Sequence, residues 1–430
     1  MRPRGGVLRG MTLAKTEETP EERERGAYPA SSERRPSRGP IAALCCAALF
    51  LYALYLGALG VLLPAVGVSF RLGPALQGRL FPADFGGFIV GVLLCGWLSD
   101  RLGRRAVLLG GVAAYALGLI LFSRAGTFPL ALLATALVGA GSGAMEIVAS
   151  ALAADLFPER RAFLLNALQV AFGAGAALGP ALAHALLSAG TDWRALPLAL
   201  AAANVLLFAA LALLPTEDIR QGDEALDWDA LRAILRQPVF VALCLCQALY
   251  VGAEVGFASW MPTYFGRLPG GAAWAGVVVS VFWVAMTAGR LATGWLVTRM
   301  PLLRLTLLLA LGGTAASALT LAWTGRGAAL AMVGVVGLCF SGIFGLILAE
   351  AGERFPRFVG TTFGAVVAAG GIGGAALPWA VGALAGTGAG WRGALLLVPM
   401  AMICLSALVY WVEITGQGAH RPRTATGPGA

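Results

Sequence analysis

Charge is scarce in this chain: Asp, Glu, Lys and Arg make up 12% of its 430 residues, against 58% hydrophobic residues and a mean hydropathy of +0.79. So low a charge content excludes a soluble globular fold of this length. Histidine is nearly absent, with only His184 and His420. The seven cysteines, Cys45, Cys46, Cys95, Cys244, Cys246, Cys339 and Cys404, all fall in apolar stretches and form no C-x-x-C pair, so neither a structural zinc site nor a disulfide framework is expected. No G-x-x-x-x-G-K-[ST] string occurs, which leaves gradients as the energy source for any pumping. No nucleophile, base and orienting group assemble from the residues present, so an enzyme is the least favoured class and no cofactor is expected.

What the chain has in abundance is apolar runs long enough to cross a hydrocarbon core of about 30 Å. They lie near 42–66, 81–98, 106–124, 128–154, 162–188, 195–214, 239–264, 274–297, 305–323, 328–349, 360–386 and 392–413. The two sets of six are copies. The string GWLSDRLGRR, Gly96 to Arg105, returns in degraded form 198 positions later as GWLVTRMPLL, Gly294 to Leu303. At the same offset Pro64 falls on Pro262, Arg101 on Arg299, Phe157-Pro158 on Phe355-Pro356, Gly175 on Gly373, Pro180 on Pro378, and Trp193-Arg194 on Trp391-Arg392. A constant shift means a duplicated unit, and two parallel halves in a membrane protein are a transporter arrangement. The expected fold is all-α, with twelve transmembrane helices in two six-helix bundles related by a pseudo-two-fold repeat.

The expected organisation is a disordered cytoplasmic tail over 1–40, bundles over 41–215 and 238–413, a cytoplasmic linker over 216–237 and a tail over 414–430. Within the linker, Trp228, Leu231 and Leu235 share one helical face, which suits an interfacial helix or a plain solvated connection. With both termini inside, most of the 31 arginines and lysines fall in cytoplasmic segments and Arg290 alone lies within a span. The sequence pI near 9.6 therefore reflects membrane topology and attraction to anionic lipids, not nucleic-acid binding. A monomer in the plasma membrane, with membrane lipids as its surroundings, is expected.

GWLSDRLGRR resembles the signature loop between the second and third helices of the major facilitator superfamily, in spacing, topology and position within a six-plus-six chain. That resemblance implies a gating role for Gly96, Asp100, Arg101, Gly103, Arg104 and Arg105. Gly96 permits close helix approach, Asp100 ends its span where a carboxylate faces the positive N-terminus of a neighbouring helix, and the arginines anchor the loop to the inner leaflet. The second copy has Thr298 in place of the acid. The segment from Gly143 to Pro180, with Glu146, Asn166 and Gln169, resembles the fourth and fifth helices of the fucose permease-like branch, and the stretches Tyr250 to Phe265 and Glu353 to Pro378 add to that similarity. The chain departs from the branch in its first helix, where Gly60 stands in place of an acid before Val61 to Pro64. Gly175, Gly179 and Pro180 also resemble part of the fifth-helix motif of exporters.

Glu146, Glu254 and Arg290 are the ionisable groups expected well inside spans, at a cost of at least about 2.5 kcal/mol each on insertion scales. Each needs a partner, a proton or water. Glu146 is the first-choice coupling carboxylate, and an ion pair between Glu146 and Arg290 across the two halves is expected in one state. Glu254 stands one turn from Tyr250 in a stretch bracketed by Gly252 and Gly256 that has the composition to unwind. Trp260, Phe282 and Trp283 are candidate cavity-wall aromatics, with Asn166 and Gln169 as polar contacts. The sequence thus reads as a secondary transporter of a small polar solute, a sugar by resemblance, with protons as the coupling species. Two rivals stand beside it: an exporter of amphiphilic compounds and a non-transporting membrane sensor.

Overall fold

The computed structural model describes residues 38–156, 161–214, 232, 234–322, 326–356 and 359–419. The expected N-terminal tail, most of the linker with Trp228 and Leu231, and the chain beyond 419 lie outside the described residues. Among those described, there is no strand, and twelve helical segments are long and apolar enough to cross a membrane. They are, in order, Gly39–Phe70, Pro74–Ser99, Arg104–Arg124, Phe128–Leu152, Phe163–Ser188, Ala195–Leu213, Pro238–Gly266, Ala275–Leu296, Leu302–Ala322, Gly327–Arg354, Thr361–Ala385 and Gly390–Thr415. These spans, the first to the twelfth, fall where the apolar runs place them. The protein is an all-α integral membrane protein.

Proline and glycine set several span ends. Pro238 opens the seventh span at a first-turn position whose N–H has no intrahelical acceptor. Between helices Leu80–Leu102 and Arg104–Arg124 a single residue, Gly103, makes the reversal at φ 84. A side chain there would be strained, which explains a glycine amid arginines.

The internal repeat reappears as packing. The first span packs on the fifth as the seventh does on the eleventh, and the second on the fourth as the eighth on the tenth. The third packs on the fourth and sixth as the ninth does on the tenth and twelfth. The correspondence reaches single atoms. Gly175 abuts the Phe50 carbonyl and its repeat mate Gly373 abuts that of Ala248, also 198 residues on. One turn further the small residue changes sides, with Gly179 against Leu54 in the first half and Leu377 against Gly252 in the second. Close approach of backbones needs one glycine per contact and does not specify which helix carries it.

Two features differ from expectation. The seventh span runs unbroken through Gly252–Gly256 as one helix, Pro238–Gly266. Its glycines serve packing: a Cβ at Gly252 would stand 2.9 Å from the Gly373 carbonyl and from Leu377. The break falls in the tenth span, where helices Arg326–Phe340 and Ile343–Arg354 are separated by Ser341 and Gly342. Gly342 lies against Thr293 of the eighth span, and the interruption leaves the Phe340 carbonyl to accept from Tyr250 Oη at 2.9 Å.

The halves meet along three seams: first with seventh span, second with eleventh, fifth with eighth. Gly60 faces the Ser259 backbone, Gly78 faces Trp379, Phe85 faces Gly374 and Ile89 faces Gly371. Those contacts run from mid-helix toward the end remote from Gly103, called the far end below. Beyond Ile89 the second span turns Leu93, Leu94 and Trp97 outward, each about half exposed. The halves are thus closed at the far end and diverge toward the Gly103 end.

Candidate functional site

A cavity of about 100 Å³ lies between the halves near their mid-depth. Aromatic faces dominate it, from Tyr52, Phe85, Phe88, Phe172, Trp283 and Phe344. Its ionisable and amide groups are Glu146 and Gln169 from the first half and Glu254 and Arg290 from the second. Helical periodicity puts Val251 and Glu254 on one face of the seventh span, and both line the cavity.

Arg290 organises the polar side. Its guanidinium donates to Gln169 Oε1 at 3.2 Å and stands 5.9 Å from the centre of the Phe172 ring. Its charge acts on both Glu146 and Glu254. Among the described residues no carboxylate oxygen comes within ion-pair distance of it, so the direct Glu146–Arg290 pair expected from sequence is absent in this state. Gln169 takes the guanidinium instead, because the fifth and eighth spans are in contact here while Glu146 stands back on the fourth. The Trp283 Nε1–H is buried without an acceptor among the described residues. A cavity-wall donor without a partner is a ready contact for a solute acceptor.

Not all candidates line this cavity. Tyr250 and Phe282 lie buried behind it, Tyr250 bound to the Phe340 carbonyl and Phe282 packed among Phe257, Trp283 and Phe340. Trp260 sits in the far-end seam, its ring 6.1 Å from Phe81 and 5.1 Å from Trp391, its Nε1–H donating to the Pro378 carbonyl at 2.8 Å. Asn166 is exposed on the fifth span and is not among the lining residues.

Around the signature loop, Gly96 and Asp100 are helical, but their side chains lie outside those described. Arg101 stacks on Trp97 at 4.1 Å, and its repeat mate Arg299 stacks on Trp295 at 3.8 Å. Arg104 is half-buried. Arg105 donates to the carbonyls of Leu211 at 3.1 Å and Ala212 at 2.9 Å, at the end of the sixth span. It therefore caps a helix C-terminus, where a cation is favoured by free carbonyls.

One buried acid was missed by the sequence reading. Asp84 lies within the 81–98 run, is 7% exposed and faces the tyrosines of the first and third spans, Tyr52, Tyr55 and Tyr115. No hydrogen bond reaches its side chain among the described residues, and the Tyr55 hydroxyl beside it is also buried without a partner. The signal was available, an acid at the fourth position of the 81–98 apolar run, close to the start of the expected span. Gln247 is a second such group, fully buried with both amide atoms unpartnered among the described residues.

Curated relatives match parts of the chain. Protein spinster homolog 1 of Homo sapiens is 27% identical over 240 residues, 53% of this chain and 45% of that protein, so the match spans less than half of the relative's length. Among solved structures, a bacterial homologue of the human lysosomal transporter Spinster, inward-facing and unoccupied, aligns with a TM-score of 0.73 at 16% identity, covering 90% of this chain and 99% of the other. The E. coli fucose:proton symporter aligns with a TM-score of 0.61 at 21% identity, covering 86% and 98%. Both structural likenesses carry the fold. The family model described as Major Facilitator Superfamily matches residues 45–378, and with a duplicated six-plus-six fold around a mid-depth cavity the chain belongs to that superfamily.

Proposed function

We propose that the chain moves a small amphipathic solute, one with an apolar or aromatic body and a charged or polar end, by alternating access around the central cavity. The observation that carries this reading is the composition of the cavity wall. Six aromatic side chains face it, while Gln169 is its sole neutral amide among the lining residues. A neutral sugar would need more hydrogen-bonding groups than that, whereas aromatic faces beside Glu146, Glu254 and Arg290 suit a mixed apolar and ionic ligand. The cavity is smaller than the roughly 300–1,000 Å³ of drug-sized sites, so the two halves must spread to admit such a solute.

Glu146 serves as the coupling carboxylate in this reading, with Arg290 exchanging Gln169 for an acid as the halves move. The arginine distribution supports a cytoplasmic location for the Gly103 end, which makes the described state inward-facing, in a monomer of the plasma membrane.

Two measurements test the reading. Purified protein is screened for thermal stabilisation by fucose, by tetraphenylphosphonium and by phenylpropionate. Stabilisation by one of the two aromatic ions, reduced in Trp283→Ala, is the expected result; stabilisation by fucose alone would return the substrate to the sugar class. With an active compound in proteoliposomes, Glu146→Gln is expected to abolish uphill accumulation while counterflow continues.

A further inference from the structure

A second cavity opens at the far end, with a volume of about 400 Å³, which is within the range of ligand sites. Its wall is made by the end of the first span from Pro64 to Leu72, the turn into the second span at Pro74 and Gln77, the end of the seventh span at Thr263 and Arg267, and Trp391 of the twelfth. Two guanidinium groups line it, Arg71 from the first half and Arg267 from the second, and no carboxylate does. Neither arginine has an ion pair among the described residues, and both are exposed. Two like charges in one cavity repel, and an anion between them relieves the repulsion.

Two further observations point the same way. The Arg267 guanidinium lies over the Trp391 ring, 5.1 Å from its centre. The Thr263 hydroxyl oxygen, in the same wall, is buried without a hydrogen-bond partner.

The repeat sets two corresponding corners side by side. The mates of Arg267 and Trp391 in the first half are Ser69 and Trp193; there Trp193 Nε1–H donates to Ser69 Oγ at 2.8 Å, and the guanidinium over the ring, 4.6 Å from its centre, is that of Arg194, which pairs with Asp192 at 3.6 Å. In the second half the serine position carries Arg267, whose guanidinium lies over the mate tryptophan with no carboxylate partner among the described residues.

We propose that this far-end vestibule binds an oxyanion, phosphate or carboxylate, held between Arg71 and Arg267 with the Thr263 hydroxyl as a further donor. Guanidinium forks bind such groups through paired N–H···O bonds. Because the arginines come from opposite halves, the bound anion ties the halves together at this end. Opening of the far end separates the two cations, so the anion binds the closed state more tightly and shifts the population toward it. Neither arginine lines the central cavity, which keeps the outcome separate from that of the transport measurements.

The test uses the full chain in nanodiscs, with nitroxides at Leu76 and Gly388, exposed positions on either side of the far-end seam. Inorganic phosphate is titrated in phosphatidylcholine discs, and phosphatidylglycerol discs without phosphate form the second arm. Saturable phosphate binding that narrows the distance distribution, weakened about tenfold or more in Arg71→Gln or Arg267→Gln, supports the site with a soluble anion as its source. A narrowing in phosphatidylglycerol alone, lost in the same variants, supports it with a lipid headgroup as the source. Arg71→Lys with Arg267→Lys keeps the charge and is expected to retain part of the effect, which guards against misfolding as the explanation. Distance distributions and phosphate binding that are the same in the parent and the Arg71→Gln/Arg267→Gln protein in both arms would overturn the proposal.

Discussion

Removing Arg290 tests the electrostatics of the central cavity. Arg290→Met takes away the cation that acts on Glu146 and Glu254 and that Gln169 holds at 3.2 Å. For a guanidinium and one ionised carboxylate taken to be about 6 Å apart at an effective dielectric constant near 20, the attraction is roughly 3 kcal/mol. Arg290 and Glu146 are only half-buried, so solvent screening reduces this to about 1–2 kcal/mol. The single variant is expected to lose about that much stability, because it leaves acids inside the membrane without a counter-charge. Glu146→Gln with Glu254→Gln in the same background is expected to recover most of the loss. The assay is thermal unfolding of the four purified proteins (parent, Arg290→Met, the double acid variant and the triple variant), read as a cycle. A coupling energy below about 0.5 kcal/mol, the ordinary limit of additivity, would show that Arg290 does not serve the two acids, and the polar half of the site would have to be rebuilt around Gln169.

Gly60→Ala places a Cβ 2.6 Å from the Ser259 carbonyl in the far-end seam, so it is expected to shift the population toward a state open at that end; unchanged spin-label distances across the seam would count against the seam as a gate. Gly139→Ala collides with the Asp84 carbonyl where the second and fourth spans touch, and a loss of folded protein larger than that of Gly110→Ala, which meets nothing within 4 Å, is expected from thermal melts. Asp84→Asn removes a buried charge that has no hydrogen-bond partner among the described residues, so thermal stability is expected to hold or rise; a fall beyond about 1 kcal/mol would reveal an interaction that this state does not display. Ser280→Ala deletes the bond to the Ala177 carbonyl at 2.8 Å between the fifth and eighth spans and is expected to cost about 1 kcal/mol by the same measurement, an unchanged melt refuting it.

The sequence by itself determined the class, the number of spans and the pairing of the halves, because those follow from one-dimensional quantities. A run of apolar residues either reaches across the hydrocarbon core or does not, and a duplication leaves a fixed offset, here 198, that survives wherever Trp, Pro and Arg persist. It also exposed Glu146, Glu254 and Arg290, since charge in mid-span is costly wherever the helix faces. Only the tertiary structure decided which side chains meet. It sent Trp260 to the far-end seam and Trp283 to the cavity, though both are aromatics in apolar helices. It gave Arg290 to Gln169 in place of Glu146, kept the seventh span whole and broke the tenth, and drew Arg71 and Arg267 from opposite halves to one vestibule. A helix is hydrophobic on every side in a membrane, so the amphipathic stripe that would mark a cavity face in a soluble protein is missing. Facing is then set by where backbones can approach, glycine by glycine, and that is a property of pairs of helices that neither sequence segment holds alone.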